Sequence, residues 1–358
     1  MHSLYLSREV VLLKIGLDLW NVILLSEKIF FEFIIMNNPI LLSIVIPVYN
    51  VELYIERCLL SCLNQDLSIS QYEIILIDDG SPDSSIDKIS KWLDRKNITL
   101  LTQPNSGLSV ARNNGLLHAK GKYVWFVDSD DWILENCLQE IAGYMVAGID
   151  IITFCAADFI NDKFYRRFEY ITGVNKKIEG RDLLKRGTCQ HCVPFSIYRK
   201  RFLEQNHLFF LPNIFHEDTE FSPRAYYLAN HVFCINKVFY YVYHNPNSIT
   251  RTFNPKKSFD LLIVSHSLSI FMLDVTPEYK SCFNNLISLS INAAINGIVT
   301  AKSEISRFIV DLTARGLYRN MLNAGKLRYK IEGLLLYLCP ALLICLYKHY
   351  SSLRRIIK

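Results

Sequence analysis

The sequence predicts an α/β fold in which a mainly parallel, Rossmann-like central sheet is flanked by helices and followed by a helical C-terminal region. Between residues 42 and 128, apolar runs of strand length alternate with helical patterns. Such alternation is typical of a parallel sheet that is covered on both faces. Beyond residue 254 only helical patterns follow. The 358 residues are enough to bury a sizeable core.

The elements are expected in three groups along the chain. The first alternates strands near 42–48, 73–78, 98–102 and 122–128 with helices near 52–65, 84–95 and 107–119. The second is irregular, with short strands at 149–155 and 238–243 and short helices at 180–186 and 218–229. The third consists of helices near 257–274, 280–300, 303–323 and 326–350. Pro47 is expected to end the first strand and Pro340 to kink the last helix.

Polar groups follow three of these strands at the point where each strand ends. Asp128, Asp130 and Asp131 lie within four residues after one strand, Asp79 follows another, and Asn50 follows the first. Because the carboxyl ends of parallel strands meet at one edge of an open sheet, we expect a shared rim. Carboxylates this close together repel one another unless a cation or a ligand neutralises them. The rim is therefore predicted to be a metal and ligand site.

The positive charge is concentrated near the C-terminus. The formal net charge is +5, but eleven Lys and Arg and only three Asp and Glu lie in the last 58 residues. Residues 333–347 are uncharged, and Lys330 and Lys348 flank them. This stretch is short for a membrane span, so we expect either a helix lying in an anionic membrane surface or an ordinary core helix. We expect no nucleic acid partner, because the basic residues flank an apolar stretch instead of alternating with exposed aromatic residues.

The ten cysteines have no framework spacing, which indicates reduced thiols in a cytosolic protein. The sequence CQHC at 189–192 could suggest zinc, but no second ligand pair lies at a suitable spacing, so packed thiols and a loop histidine are expected.

Four motifs occur in order over about 90 residues. They are SIVIPVYN at 43–50 with Glu52, IDDGSPD at 77–83, NSGLSVARNNG at 105–115 and AKGKYVWFVDSDD at 119–131. Together they resemble the family-2 glycosyltransferases of the GT-A fold, and the resemblance continues through HED at 216–218. One such motif would be weak, whereas four at these separations are specific. Gly115 is expected to allow close packing of a helix against a strand.

The resemblance implies a nucleotide-sugar site with eight residues: Pro47, Tyr49, Asn50, Glu52, Asp79, Arg112, Asp128 and Arg251. Tyr49 offers a ring face to a nucleobase, and Asp79 can accept the imide hydrogen of that base. Arg112 either reaches towards the diphosphate or clamps the carboxylates in register. In the family an arginine is expected just after the tyrosines, where this chain has His244, and Arg251 is the expected substitute.

The resemblance also implies the catalytic groups. Asp130 is expected to bind Mg²⁺ or Mn²⁺, with Asp128 nearer the ribose. Asp218 is expected to be the catalytic base, with Glu217 beside it. Asp131 has two open roles, a cap for the next helix or direct participation in the site.

The function implied is an inverting, metal-dependent hexosyl- or N-acetylhexosaminyltransferase that uses a nucleotide diphosphate sugar, with UDP as the expected nucleotide. The expected acceptor is a glycan or lipid-linked glycan in cell-surface glycan synthesis, and the expected location is the cytoplasmic face of a bacterial cell membrane. A sugar-phosphate nucleotidyltransferase is one alternative, although the first strand is not followed by the glycine-rich, basic loop that such an enzyme needs. A catalytically inactive GT-A-like binding protein is the other, and only turnover would separate it.

The expected organisation has four parts. Residues 36–140 form the nucleotide-sugar-binding half, residues 141–254 the acceptor-side half, and residues 255–358 the helical region with the membrane-associating segment 333–347. Residues 1–35 are either an N-terminal amphipathic extension or not part of the native protein, in which case translation begins at Met36.

Overall fold

The structure is a computed structural model that describes residues 40–170, 174–188, 191–244 and 253–357. The predictions for residues 1–35, for Met36 and for Arg251 lie outside these ranges.

The first part of the described chain alternates strands and helices, as predicted. Its elements are β1 (Leu42–Val48), α1 (Ile55–Leu63), β2 (Tyr72–Asp78), α2 (Ser85–Ile89), β3 (Ile98–Thr102), α3 (Leu108–His118), β4 (Tyr123–Phe126), β5 (Trp132–Ile133) and α4 (Leu138–Tyr144).

The second part has longer strands than the sequence suggested. Its elements are β6 (Ile151–Ile160), β7 (Lys163–Arg166), β8 (Lys177–Ile178), α5 (Gly180–Arg186), β9 (Ser196–Arg199), α6 (Lys200–Gln205), α7 (Glu217–Leu228) and β10 (Val232–Tyr243). The C-terminal part is helical, with α8 (Pro255–Phe271), α9 (Pro277–Ile298), α10 (Ile305–Ala314), α11 (Tyr318–Leu322), α12 (Leu327–Leu338) and α13 (Pro340–Ile357).

The described strands belong to one sheet with the order β3-β2-β1-β4-β9-β6-β10-β5, and β7 and β8 pair with β6 and β10. β1 is parallel to both β2 and β4, and β2 is parallel to β3, so the carboxyl ends of these four strands meet at one edge. β9 is antiparallel to β4 and to β6 and so joins the two parts of the sheet. The predicted α/β class with a C-terminal helical region is confirmed.

β1 has the predicted bounds, but Pro47 does not stop the strand as expected. It continues to Val48, whose carbonyl accepts a hydrogen bond from the N–H of Asp79 at 2.9 Å. The backbone of Val45 is hydrogen-bonded towards β4, because its carbonyl accepts from Val127 N–H at 2.9 Å. Pro47 is two residues further on, so its backbone points in the same direction, but the pairing of β1 with β4 ends at Val45. Its missing N–H therefore costs no hydrogen bond in the pairing with β2.

Side chains on the two faces of the central strands fill two separate cores. Val45 and Ile75 lie in one core, and Ile44 and Ile74 lie in the other. Both faces of these strands are covered, which explains why they are apolar throughout. Gly115 lets α3 approach β1, because a Cβ atom at this position would lie 2.2 Å from Cγ1 of Val45. The predicted close packing at Gly115 is confirmed.

Two of the predicted C-terminal helices are each divided in two. The helix predicted at 303–323 is interrupted by Gly316, whose φ of 65° is incompatible with a right-handed helix. The helix predicted at 326–350 ends at Leu338, and a new helix begins at Pro340. Pro340 restricts the residue before it, and Cys339 has an extended φ of −153°.

Residues 333–347 contribute to the core and to the surface. Four of their side chains are buried in the core that contains Val45: Leu336, Leu343, Ile344 and Tyr347. Six other apolar side chains of α12 and α13 are exposed, and we call this set the C-terminal apolar patch: Leu327, Ile331, Leu334, Leu338, Leu342 and Leu346. Within the described ranges, no helix has both the length and the apolar character needed to cross a membrane.

Candidate active site

The strand ends predicted to share a rim do lie next to one another. The N–H of Val127, directly before Asp128, bonds to β1, and the N–H of Asp79 also bonds to β1. The loops after β2 and β4 are therefore held on either side of the end of β1. This places the carboxylates of Asp79, Asp128 and Asp130 along one edge of the sheet.

Arg112, on α3, joins two carboxylates that are far apart in sequence. Its Nη2 lies 2.6 Å from Oδ1 of Asp128, and its Nη1 lies 2.7 Å from Oε1 of Glu217. The Arg112 side chain is only 2% exposed. Burial disfavours the charge of Arg112, but the two carboxylates outweigh burial, so the pKa of Arg112 is raised. Of the two predicted arrangements, the structure has the clamp between carboxylates.

Asp130 lies between Asp128 and Asp131 on the loop after β4, and its carboxylate is largely buried. Burial, and then the negative charge of Asp128, raise the pKa of Asp130 to about 6. None of the ion pairs formed among the described residues includes this carboxylate. Arg57 offsets this rise only in part, so a cation arriving beside Asp130 would further stabilise its ionised form.

Asp131 does not cap a helix, which corrects one of its two predicted roles. Its Oδ2 accepts from the hydroxyl of Tyr240 at 2.9 Å, and its Oδ1 accepts from Tyr243 N–H at 2.8 Å. The Tyr240 hydroxyl also accepts from Asp128 N–H at 3.1 Å. The element that follows Asp131 is a strand, β5. Asp131 therefore fixes the loop 128–131 to β10, a role of Tyr240 and Tyr243 that sequence reasoning missed.

Asp79 directly follows β2, and its buried carboxylate bonds to the loop that leads into α3. Its Oδ1 accepts from Nε2 of Gln103 at 2.7 Å and from Ser106 N–H at 2.8 Å, and its Oδ2 accepts from Gly107 N–H at 2.8 Å. These bonds hold the loop that precedes α3. Oδ2 retains capacity for another donor. The contact of Asp79 with a base stays a prediction.

Two of the other residues predicted to bind the donor differ in exposure. Pro47 is buried within β1, whereas Tyr49 is 44% exposed. Asn50 has a left-handed φ of 55°, and its N–H donates to Oγ of Ser81 at 3.2 Å. Tyr49 and Asn50 are both exposed and so are open to a ligand, whereas Pro47 is not.

Glu52 connects the loop after β1 to the loop after β2. Its carboxylate accepts from Ser84 N–H at 3.1 Å, and its own N–H donates to Oδ2 of Asp83 at 2.9 Å. These reciprocal bonds give Glu52 a structural role at the rim, and its predicted contact with a donor stays a prediction.

The second acidic pair begins α7 and reaches the same rim. Glu217 is 12% exposed and is held by Arg112. Asp218 accepts from Thr219 N–H at 2.7 Å. Burial raises the pKa of both Glu217 and Asp218, and Arg112 opposes this shift in each case. A carboxylate whose pKa is raised towards neutrality is suited to accepting a proton.

The position where the resemblance expects an arginine is occupied by His244. Its Nε2 lies 2.8 Å from Oδ1 of Asp158 on β6. The other oxygen of Asp158 lies 3.2 Å from Nε of Arg167. Arg251 lies outside the described residues, so its predicted role stays a prediction.

Arg57 is a residue of the rim that sequence reasoning missed. It lies on α1, and its Nη2 donates to the carbonyl of Asp130 at 2.8 Å. Its guanidinium carbon lies 4.0 Å from the ring centroid of Trp132 and 4.6 Å from that of Tyr243. Nothing in the local sequence distinguishes Arg57 from a surface arginine, because its partners are distant in the chain.

The rim suits a hard divalent cation that takes most of its ligands from a phosphorylated donor. No group of three or more His, Cys, Asp or Glu side chains in the described ranges could hold a metal ion by itself. Asp128 is paired with Arg112 and Asp131 with the tyrosines, which leaves Asp130. Mg²⁺ and Mn²⁺ prefer oxygen ligands, and Mg²⁺ is often bound by one or two carboxylates together with phosphates. The available carboxylate fits such a site.

A parallel sheet with carboxylates at its strand ends, and a second acidic pair brought to the same rim, is the arrangement expected of a GT-A glycosyltransferase. The family model described as Glycosyl transferase family 2 matches residues 43–206. A Haemophilus influenzae protein named as an uncharacterized glycosyltransferase is 39% identical over 188 residues, which are 52% of this chain and 71% of that protein. The chain belongs to the family-2 glycosyltransferases.

Two further similarities involve Staphylococcus aureus TarS, whose name is poly(ribitol-phosphate) beta-N-acetylglucosaminyltransferase. It is 27% identical over 209 residues, which are 56% of this chain and 35% of TarS. The crystal structure of TarS 1–349 in complex with UDP has a TM-score of 0.66 at 21% identity and covers 89% of this chain and 92% of that one. The structural similarity confirms the predicted GT-A fold.

Proposed function

We propose that this chain is an inverting, metal-dependent glycosyltransferase that transfers a hexosyl or N-acetylhexosaminyl group from a UDP-sugar to a hydroxyl of a glycan or lipid-linked glycan. The observation that carries the proposal is the Arg112 clamp, which joins Asp128 on the predicted donor side to Glu217 on the predicted acceptor side. The UDP found with TarS 1–349 supports the choice of nucleotide. The name of TarS supports a surface-polymer acceptor.

In the proposed reaction, donor and acceptor meet between Asp128 and the acidic pair of α7. Asp218 accepts the proton of the acceptor hydroxyl while the oxygen of that hydroxyl attacks the anomeric carbon of the donor sugar. The bond from that carbon to the UDP oxygen breaks, and UDP leaves with the bonding electron pair. Attack opposite to the leaving group inverts the anomeric configuration. Glu217, fixed by Arg112, orients the acceptor side of the site.

Asp130 is the residue proposed to hold Mg²⁺ or Mn²⁺. When bound there, the ion offsets the negative charge that develops on the departing UDP. Arg57 bonds to the carbonyl of Asp130 and fixes the backbone from which this carboxylate projects.

We further propose that the protein acts as a peripheral protein on the inner face of the cell membrane, in contact through the C-terminal apolar patch. Lys326 and Lys330 are exposed beside this patch and would face anionic headgroups. Leu327, Ile331 and Leu334 recur at helical spacing on α12, so they share one face.

The test of the function is metal-dependent release of UDP from UDP-glucose, UDP-galactose and UDP-N-acetylglucosamine by the purified chain. We expect release from at least one donor with Mn²⁺ or Mg²⁺, and weak binding of UDP in calorimetry after chelation. Asp130→Asn should lose the metal-dependent part of UDP affinity, whereas Asp94→Asn, an exposed control, should not. Equal UDP affinity with and without the ion would refute the assignment of Asp130, and no release from any donor would refute the proposed activity.

A further inference from the structure

Five aromatic side chains form a continuous surface on the second part of the sheet. They are Trp132 on β5, Phe159 on β6, Phe164 on β7, and Tyr241 and Tyr243 on β10. The centroids of neighbouring rings lie 4.9–6.4 Å apart. None of the five belongs to either hydrophobic core. We call this surface the aromatic face.

The strand register places these rings on one side of the sheet. Tyr241 pairs with Trp132, Tyr243 pairs with Phe159, and Phe159 pairs with Phe164. Directly paired residues share a face, and Tyr241 and Tyr243 are two residues apart on one strand. The rings converge across these strands, because the centroids of Trp132 on β5 and Phe164 on β7, the two outermost strands of the four, lie only 6.4 Å apart.

The aromatic face is continuous with the candidate active site. Trp132 directly follows Asp131, and the N–H of Tyr243 donates to Asp131. Arg57 lies against the rings of Trp132 and Tyr243 while it donates to the carbonyl of Asp130. A ligand that extends from the rim along this side of the sheet would therefore meet aromatic rings.

We propose that the aromatic face binds sugar rings of the acceptor glycan, an inference that rests on the proposed transferase function. The face of an aromatic ring carries partial negative charge, and the C–H bonds on one side of a pyranose ring carry partial positive charge, so the two stack. Phe164, at the outer end, is 56% exposed, which leaves a ring free to be covered. The C-terminal apolar patch differs in that it consists of five Leu and one Ile, the composition expected for contact with lipid.

Phe164 and Tyr165 provide a matched pair for a test. They are neighbours on β7, and Tyr165 is 52% exposed, but adjacent residues of a strand point to opposite faces. Phe164→Ala removes a ring from the aromatic face, and Tyr165→Ala removes one from the other side. Tyr165→Ala should keep the wild-type melting temperature. Phe164→Ala should lower it slightly, because the Phe164 ring also contacts Phe159 and Tyr241, so binding is measured at a temperature where both variants are folded.

The measurement is binding of chitohexaose, maltohexaose and cellohexaose in the presence of UDP and Mn²⁺, followed by tryptophan fluorescence. At least one hexasaccharide should change the emission of the wild type, and Trp132→Phe should remove that change. Phe164→Ala should weaken this binding about 5- to 30-fold, the range expected when an aromatic contact residue is truncated, while Tyr165→Ala binds as the wild type does. Release of UDP from the donor without acceptor should be unchanged in both variants, so it reports on the proposed function separately.

Three outcomes would overturn the inference. The first is no fluorescence response to any of the three hexasaccharides, and the second is equal weakening by Phe164→Ala and Tyr165→Ala. The third is that Phe164→Ala affects only sedimentation with phosphatidylglycerol vesicles or only self-association, because the aromatic face would then contact lipid or a second copy of the chain.

Discussion

Replacing Arg112 by methionine should destabilise the protein strongly, because it removes the cation that two carboxylates share. Methionine retains the apolar stem of the side chain, so the change isolates the charge. Glu217 is 12% exposed and would remain as a buried carboxylate without a partner. Breaking a buried pair in this way typically costs about 3–5 kcal/mol of unfolding free energy. Asp128 is 31% exposed, so losing its pair adds only about 1 kcal/mol or less.

The destabilisation should depend on pH in a defined direction. Burial already raises the pKa of Glu217, and Arg112 opposes that shift, so removing Arg112 raises the pKa of Glu217 further. A carboxylate with a raised pKa in the folded state stabilises the fold below its unfolded pKa of about 4.3 and loses this contribution as the pH rises. The free energy difference between the wild type and Arg112→Met should therefore be small near pH 4 and largest at pH 7 and above.

Urea denaturation followed by circular dichroism at pH 5 and pH 7 measures this difference. The double variant Arg112→Met/Glu217→Gln removes the unpaired charge and should recover most of the loss at pH 7. Arg112→Lys keeps the charge but cannot bond both carboxylates in the same geometry, so an intermediate loss is expected. The reasoning is refuted if Arg112→Met is within about 1 kcal/mol of the wild type at pH 7, or if Glu217→Gln does not rescue it.

Two further predictions concern the base and the membrane contact. Asp218→Asn should lower transfer by about 10²–10⁴-fold with UDP affinity nearly unchanged, and Glu217→Gln should be milder; a greater loss in Glu217→Gln would reassign the base. The transfer rate of the wild type should fall as the pH drops through the raised pKa of Asp218, since only the ionised carboxylate accepts a proton, and Asp218→Asn should lack this decline in pH-rate measurements. Leu338→Glu/Leu342→Glu should reduce sedimentation with anionic vesicles, whereas Leu117→Glu, an exposed control on α3, should not. Equal sedimentation of the wild type and both variants would exclude the C-terminal apolar patch as the contact.

The elements of the first part of the chain were predictable because each signal is local. β1 and β2 are uninterrupted apolar runs that end in turn residues, and their predicted bounds differ from the observed ones by at most one residue. The helix α3 follows Gly107, whose φ of 88° ends the preceding loop. The positions of Asp79, Asp128 and Asp130 at one edge followed from the parallel order of the strands.

The parts that could not be predicted depend on contacts between distant residues. β6 and β10 extend beyond the predicted 149–155 and 238–243 because they pair with each other, and each stabilises the end of the other. The Arg112–Glu217 bond links residues 105 positions apart, and the Arg57–Asp130 bond links residues 73 positions apart. Sequence spacing carries no information about such pairs. For residues 333–347 the sequence predicts a membrane-surface helix or a core helix, and the structure has parts of two helices that each carry buried and exposed apolar side chains.

The Arg112 clamp also bears on the alternative of a catalytically inactive binding protein. A buried ion triad is seldom the most stable solution, because well-packed apolar residues of similar volume often stabilise a fold equally well or better. Stability alone therefore does not explain why the cation on α3 lies between Asp128 and Glu217 at the rim of the sheet. The arrangement is explained if both carboxylates must stay ionised and fixed relative to each other, since one faces the predicted donor and the other stands beside the predicted base. Such a requirement is expected of the proposed transferase, which must align two substrates, and turnover by the purified chain tests it.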